Sequence, residues 1–365
     1  MHSRQSLRSW TRHLLPTAGP CAQQAAWELV RALLVDFTTN RAQLARQLDR
    51  ESTAKASRQF LSRWLARPHC QPEELYACLN RLARRLLARQ WQRRRDVVLM
   101  IDVTYLGKVW AVLQVSLGWQ GRALPLYRAV VHAKEPEEGQ AALLKQACHW
   151  LQAQLPGPQA RSVLVLDRGF PSHDLNRFWQ EHGWRFVVRA DNRFKMTHPA
   201  YSGSFREAVA VAGLIGPAPR LFAAVELGRR RKGLKSRIHW SEVQVVFYHG
   251  VGYKEPWFLL TSETDAARAV ALYRQRMQIE CEFRDLKGPW GLDELERWQA
   301  REEVARFLAW VAVYEWRLAC LWLVHQLAEW GATLRVAGRL SWMTITRMWL
   351  AQRWRRATRQ AHACL

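Results

Sequence analysis

Apolar positions recur at helical spacing in AAWELVRALLVDF and again in ELYACLNRLARRLLARQW, which predicts a helical segment over residues 1–92. Between them, NRAQLARQLDRESTAKASRQFLSRWLA reads as helix, short polar break, helix, with Asp49 and Ser52 as N-cap candidates. The period then becomes strand-like. DVVLMIDVTYL (96–106), VWAVLQVSLGW (109–119) and RALPLYRAVV (122–131) are rich in β-branched and apolar residues. The breaks at Leu106-Gly107-Lys108 and Trp119-Gln120-Gly121 suit hairpin turns. A helix over 139–155, a buried strand SVLVLD at 162–167, a helix opening at Pro171-Ser172 and a strand at 184–190 follow. Three antiparallel strands followed by alternating helix and strand predict an α/β (α+β) architecture, a mixed sheet flanked by helices. Residues 191–262 are nearly all strand-like. A helix over 265–287, stopped at Gly288-Pro289, and a long helix over 301–330 complete the pattern, ahead of a helical, basic tail. The chain thus divides into a helical segment (1–92), a mixed-sheet domain in two pieces (93–190 and 263–330), a β-strand insertion (191–262) and a tail (331–365).

Charge changes this picture. The 365 residues carry 55 Lys and Arg against 31 Asp and Glu, a net charge of +24, with an apolar content of 49%. Such a chain is globular, and its surplus favours a polyanionic partner, above all nucleic acid. The break between the N-terminal helices then admits two readings: plain packing, or a helix-turn-helix with Arg58 and Arg63 on its second helix. The run Gly228 to Arg237 carries six cations, among them Arg229, Arg230, Arg231, Lys232 and Lys235. It is either a solvated loop or a basic hairpin tip that meets DNA phosphates. The seven cysteines are scattered with no C-x-x-C spacing, which argues against a disulfide framework or a zinc finger and for a reducing compartment. The polar N-terminus, with Arg and His, does not read as a signal peptide. The apolar run Phe307 to Trp330 contains Glu315, Arg317, His325, Gln326 and Glu329, expensive in lipid, so it reads as a buried helix.

The densest chemistry lies in YRQRMQIECEFRDLK, Tyr273 to Lys287. On one continuous helix Tyr273, Arg276, Glu280 and Lys287 fall within roughly 60° of one another, an acid among an aromatic and two cations. Upstream, Asp102 lies near the end of an apolar strand and Asp167 ends another. Each acid alone suits a turn cap or a pair with a nearby Arg, but an acid in such a run is costly to bury unless it is paired or binds metal. Together, two strand-end acids and a helix acid can converge on a pair of ions. Carboxylate-rich sites select Mg²⁺ or Mn²⁺, which would activate a water or 3′-hydroxyl for in-line displacement.

On these residues the chain resembles the bacterial DDE transposases, and among them the cut-and-paste insertion-sequence-four family. That family's signature Y-x2-R-x3-E-x6-K is matched at Tyr273, Arg276, Glu280 and Lys287. The resemblance implies a ribonuclease H-like catalytic fold interrupted by a β-strand insertion. It implies that Asp102 (in IDVT), Asp167 (in LDRGF, followed by Arg168) and Glu280 are the catalytic acids and hold two Mg²⁺, for which Mn²⁺ can substitute. It also implies that Tyr273, Arg276 and Lys287 touch phosphates beside the cleaved strand. Trp257, in EPWFLLTSE, matches a Trp that stacks on a flipped base, although a core Trp would suit the same strand. The expected partners are double-stranded DNA (terminal inverted repeats and target) and a second copy of the chain as a homodimer. The expected setting is the bacterial cytoplasm at the nucleoid, with no membrane. Two rival readings retain the fold: a binding-only relative without catalysis, and a two-metal nuclease without strand transfer.

Overall fold

The computed structural model describes residues 19–326 except 36, 49–52, 67–70, 93–95, 120, 135–136, 156–160, 171–172, 191–194, 198–205, 208–216, 231–237 and 289, with residues 9, 10, 12 and 15 before them. The tail and the basic run 231–237 lie outside the described residues.

Three strands open the sheet: β1 (Val97–Leu106), β2 (Trp110–Trp119) and β3 (Arg122–His132), an antiparallel meander. β4 (Ser162–Leu166) and β5 (Arg185–Ala190) follow, each running parallel to its neighbour on the β1 side. The order β3-β2-β1-β4-β5 continues through β10 (Trp257–Thr261), β9 (Ile238–Tyr248), β8 (Arg220–Arg230), β6 (Lys195–Thr197) and β7 (Arg206–Glu207). β4, the Val97–Ile101 part of β1 and the middle of β5 are buried on both faces, which is why they read as continuous apolar runs rather than alternating ones. The first five strands have the ribonuclease H order and directions, so the expected mixed sheet flanked by helices is what the chain forms. The strands described within the 191–262 stretch do not build a second sheet. They extend the first, because β10 pairs with β5 and β9 with β10.

Helices α1 (Pro20–Val35), α2 (Arg41–Arg46), α3 (Ala54–Ala66) and α4 (Pro72–Gln92) precede the sheet; α5 (Glu137–Gln154) and α6 (His173–Glu181) lie between its strands. Helices α7 (Ala266–Arg274) and α8 (Met277–Lys287), a 3₁₀ turn (Leu292–Arg297) and α9 (Arg301–Gln326) follow it. The cap of α3 is Thr53, whose hydroxyl accepts from the Ala56 amide at 3.2 Å; the expected caps Asp49 and Ser52 lie outside the described residues. Leu61, Trp64 and Leu65 of α3 face inward while Arg58 and Arg63 are exposed.

α9 explains the apolar run at 307. It packs on β3 and is covered by α1, α3 and α4, so apolar residues all round it meet protein. Phe307, Trp310, Tyr314 and Trp316 are buried, and no helix among the described residues is long and apolar enough to cross a membrane. The N-terminal helices dock tightly here. The Trp64 and Trp310 rings lie 5.0 Å apart, the Phe37 and Trp290 rings 4.3 Å apart, and the Thr39 hydroxyl donates to the Gly291 carbonyl at 2.9 Å.

Candidate active site

The parallel ladder between β1 and β4 ends at the pair Ile101–Leu166. The next residue on each strand is an aspartate, Asp102 and Asp167, so the two acids emerge side by side. Asp102 is not at the end of its strand, as the sequence suggests. β1 runs on to Leu106 against β2, and only its pairing with β4 stops at Ile101.

The motif helix is also not continuous. α7 ends at Arg274, α8 begins at Met277, and Asp265 caps α7 by accepting from the Ala267 and Arg268 amides. Across the join, the amides of Gln275, Arg276, Gln278 and Ile279 bond to carbonyls three residues back. This local tightening brings residues three apart into line. Arg276 therefore stands under Tyr273, its guanidinium carbon 5.6 Å from the ring centroid. A single unbroken stripe from Tyr273 to Lys287 is replaced by two short helices with Arg276 at the bend.

That bend carries Arg276 into the acids. One guanidinium nitrogen lies 3.3 Å from Asp102 Oδ2 and 3.6 Å from Asp167 Oδ2, and another pairs with Glu280 Oε1. The Tyr273 hydroxyl donates to Asp167 Oδ1 at 2.9 Å. The Arg276 side chain is 8% exposed, against 18% for Asp102, 28% for Asp167 and 35% for Glu280, so the acids open outward around a buried cation. Burial pushes the Asp102 carboxyl up to about 6, against the pull of Arg276 and the Val103 amide, and Asp167 and Glu280 add to the rise. Burial works against the charge of Arg276, but Tyr273 and the three carboxylates outweigh it and hold its pKa above the ordinary value. Burial also raises the Tyr273 hydroxyl.

Among the described residues no three His, Cys, Asp or Glu side chains form a ready ion-binding cluster. The acids instead share one guanidinium, which acts as their counter-ion. Three oxygen-donor side chains around a single buried positive charge fit a hard divalent cation by donor type.

The other sequence candidates are dispersed. Trp257 opens β10, half-buried, with its ring 4.8 Å from Tyr273, 4.6 Å from Tyr253 and 5.7 Å from Tyr248. It therefore flanks the acid cluster. Arg168 is exposed and faces Glu255 at 3.4 Å. Lys287, at the end of α8, lines a small pocket with Thr104, Leu286 and Leu292, and among the described contacts none joins it to the acids. Arg229 and Arg230 close the β8–β9 ladder opposite His239 and Ile238, while Arg231, Lys232 and Lys235 lie outside the described residues. Sequence reasoning misses Arg189, which shares Glu255 with Arg168 at 2.9 Å, and a buried group of Gln114, Arg128, Glu282 and Glu315 behind α8. The signal for that group is polar residues inside the apolar strands VLQVSL and PLYRAVV.

Sheet order and flanking helices define a ribonuclease H-like domain. Residues 107–316 match the family described as the transposase DDE domain, and the chain belongs to that family. The matched stretch contains Asp167, Tyr273, Arg276, Glu280 and Lys287 and begins just after Asp102. Among solved structures, the chain is similar to the piggyBac transposase in a synaptic complex with hairpin DNA, at 12% identity and a TM-score of 0.42, covering 93% of this chain and 73% of that one. It is also similar to the catalytic domain of human endonuclease V (16%, 0.30, covering 57% and 97%). Endonuclease V of Ciona intestinalis with an inosine-containing DNA is a third (14%, 0.30, covering 57% and 98%). No curated protein sequence matches the chain.

Proposed function

We propose that this chain is a cut-and-paste DNA transposase of the insertion-sequence-four type, which binds the terminal inverted repeats of its own element, cleaves at their ends and joins them to target DNA. The observation that carries this reading is the meeting of Asp102, Asp167 and Glu280 on Arg276. Two neighbouring strands and the helix of the family-matched stretch supply one acid each. In this reading the three acids hold two divalent ions, Mg²⁺ with Mn²⁺ as substitute. When bound, such ions activate the attacking water or 3′-hydroxyl and stabilise the leaving oxygen.

The chain's own residues do the rest. Tyr273 orients Asp167 through its hydroxyl. Arg276 offers the scissile phosphate a cation that already lies among the acids, and Lys287 adds a second. Trp257, beside Tyr273, gives an unpaired base a surface to stack on. Arg168, the basic stretch 229–237 and the exposed Arg58 and Arg63 supply further phosphate contacts, in keeping with a net charge of +24. The active form is a homodimer on DNA, one protomer for each element end, in the bacterial nucleoid.

The test is cleavage of linear DNA bearing the ends of the source element by the full chain in Mg²⁺. Glu280→Ala should keep end binding and lose cleavage, and a joining assay with target plasmid should show strand transfer by the wild type. Normal cleavage by Glu280→Ala would overturn the assignment of the acids. Cleavage without joining would leave a nuclease, and end binding without cleavage by the wild type a binding protein.

A further inference from the structure

Behind the acid cluster lies a second set of polar side chains shut away from solvent. Asp102 on β1 faces Gln114 on β2, and Gln114 faces Arg128 on β3. Partners across antiparallel strands share a face, so the three form one row across the sheet, beginning at an active-site acid. α8 covers the inner end of that row. Arg128 donates through Nε to Gln114 Oε1 at 2.5 Å, through Nη1 to the Leu308 carbonyl at 3.1 Å, and through Nη2 to Glu282 Oε1 at 3.0 Å and Glu315 Oε2 at 2.8 Å. Gln114 Nε2 donates to Glu282 Oε1 at 2.9 Å and to Ser116 Oγ at 2.7 Å. All of these side chains are buried.

Glu282 stands two residues after Glu280, so about 200° separates them around the helix. On its inner side α8 also packs Ile279, Phe283 and Leu286. Apolar contact sets the distance of a helix from a sheet but is non-directional. Hydrogen bonds are directional and resist rotation about the helix axis.

We propose that Glu282 is a positioning residue: its bonds to Arg128 and Gln114 fix the roll of α8 and so hold Glu280 beside Asp102. The inference rests on Glu280 being a reacting-site acid. One guanidinium serves two carboxylates here, so Arg128 ties Glu282 on α8 to Glu315 on α9. Glutamine keeps an acceptor oxygen for Arg128 Nη2 and Gln114 Nε2, the two donors that meet Glu282 Oε1. Leucine keeps the volume and loses every bond.

The experiment is single-turnover cleavage of element-end DNA by the full chain, with gel-shift affinity and thermal unfolding measured on the same preparations. A misplacement of 1 Å at a reacting group costs about a hundredfold in rate. Glu282→Leu should therefore cleave roughly 100-fold more slowly with unchanged DNA affinity, and Glu282→Gln should cleave within about threefold of wild type. If Glu282→Leu does not fold, the triple replacement Arg128→Met, Glu282→Leu, Glu315→Leu removes the buried charges together, a change that folded proteins often accept. It too should bind DNA and cleave slowly. A folded Glu282→Leu or triple variant that cleaves at the wild-type rate would overturn the proposal, as would a Glu282→Gln as slow as Glu282→Leu. Failure of the underlying reading is distinct, because it shows as normal cleavage by Glu280→Ala.

Discussion

Arg276 joins Asp102, 174 positions earlier in the chain, to Glu280, one helical turn later, through a single guanidinium. Removing that cation leaves three carboxylates facing one another. In metal-free buffer Arg276→Gln should lose about 2 kcal/mol of stability, less than the roughly 3–5 kcal/mol of a fully buried pair because the acids are partly solvated. Added Mg²⁺ should raise its unfolding midpoint more than that of the wild type, since the ion replaces the missing charge. Equal responses of the two proteins in a thermal scan would contradict the counter-ion role.

The raised Asp102 carboxyl gives a pH signature. With a folded value of about 6 against an unfolded one near 3.8, its neutral form favours the fold. That stability is fully present below about pH 4, falls away between 4 and 6, and is gone above 6, a loss of at most about 3 kcal/mol. Asp102→Asn stays neutral throughout. Its stability relative to wild type in EDTA should therefore be greater at pH 7.5 than at pH 4, as read by denaturant unfolding. A pH-independent difference would show that Asp102 titrates normally.

Trp257 offers a ring edge-on to Tyr273, beside the acids. With 2-aminopurine placed next to the cleaved position of the element end, wild type should perturb its fluorescence on binding. Trp257→Phe should keep most of the change, and Trp257→Ala should lose it and bind about 5–100-fold more weakly, the worth of one stacked base. An unchanged signal in Trp257→Ala would place the ring in a packing role only.

Gly107 turns the β1–β2 hairpin with φ +56, and a Cβ there would collide with the Glu296 side chain. Glu296 accepts from the Lys108 amide at 3.1 Å, a bond that is lost if the side chain moves aside. Gly107→Ala should cost about 1–3 kcal/mol, measurable as a lower urea midpoint. A midpoint equal to wild type would mean that the turn readily rearranges.

Much of this architecture is legible in the chain because its signals are local. β-Branched runs bounded by Gly107 and Gly121 specify the meander, and an unbroken apolar stretch at 162–166 specifies a strand buried on both faces. The acids are legible as odd residues in such runs. What is not legible is long-range or unmarked. No glycine or proline stands at Gln275–Arg276, so nothing in the pattern announces the bend that turns Arg276 inward. Nor does local pattern show that Arg128 meets Glu282 and Glu315, 154 and 187 positions away, because burying those charges is favourable only once all partners are assembled. The adjacency of Asp102 and Asp167 likewise depends on a pairing register that the pattern does not spell out.

β10 lies directly beside β5 in the sheet. The chain departs from β5 at Ala190 and returns on the adjacent, antiparallel β10, where Phe258 sits opposite Ala190. Exit and re-entry are therefore neighbours, and the strands between them extend the sheet beyond β10. Asp167 before the excursion and Glu280 after it are thus held by a sheet and a helix whose path the excursion does not interrupt.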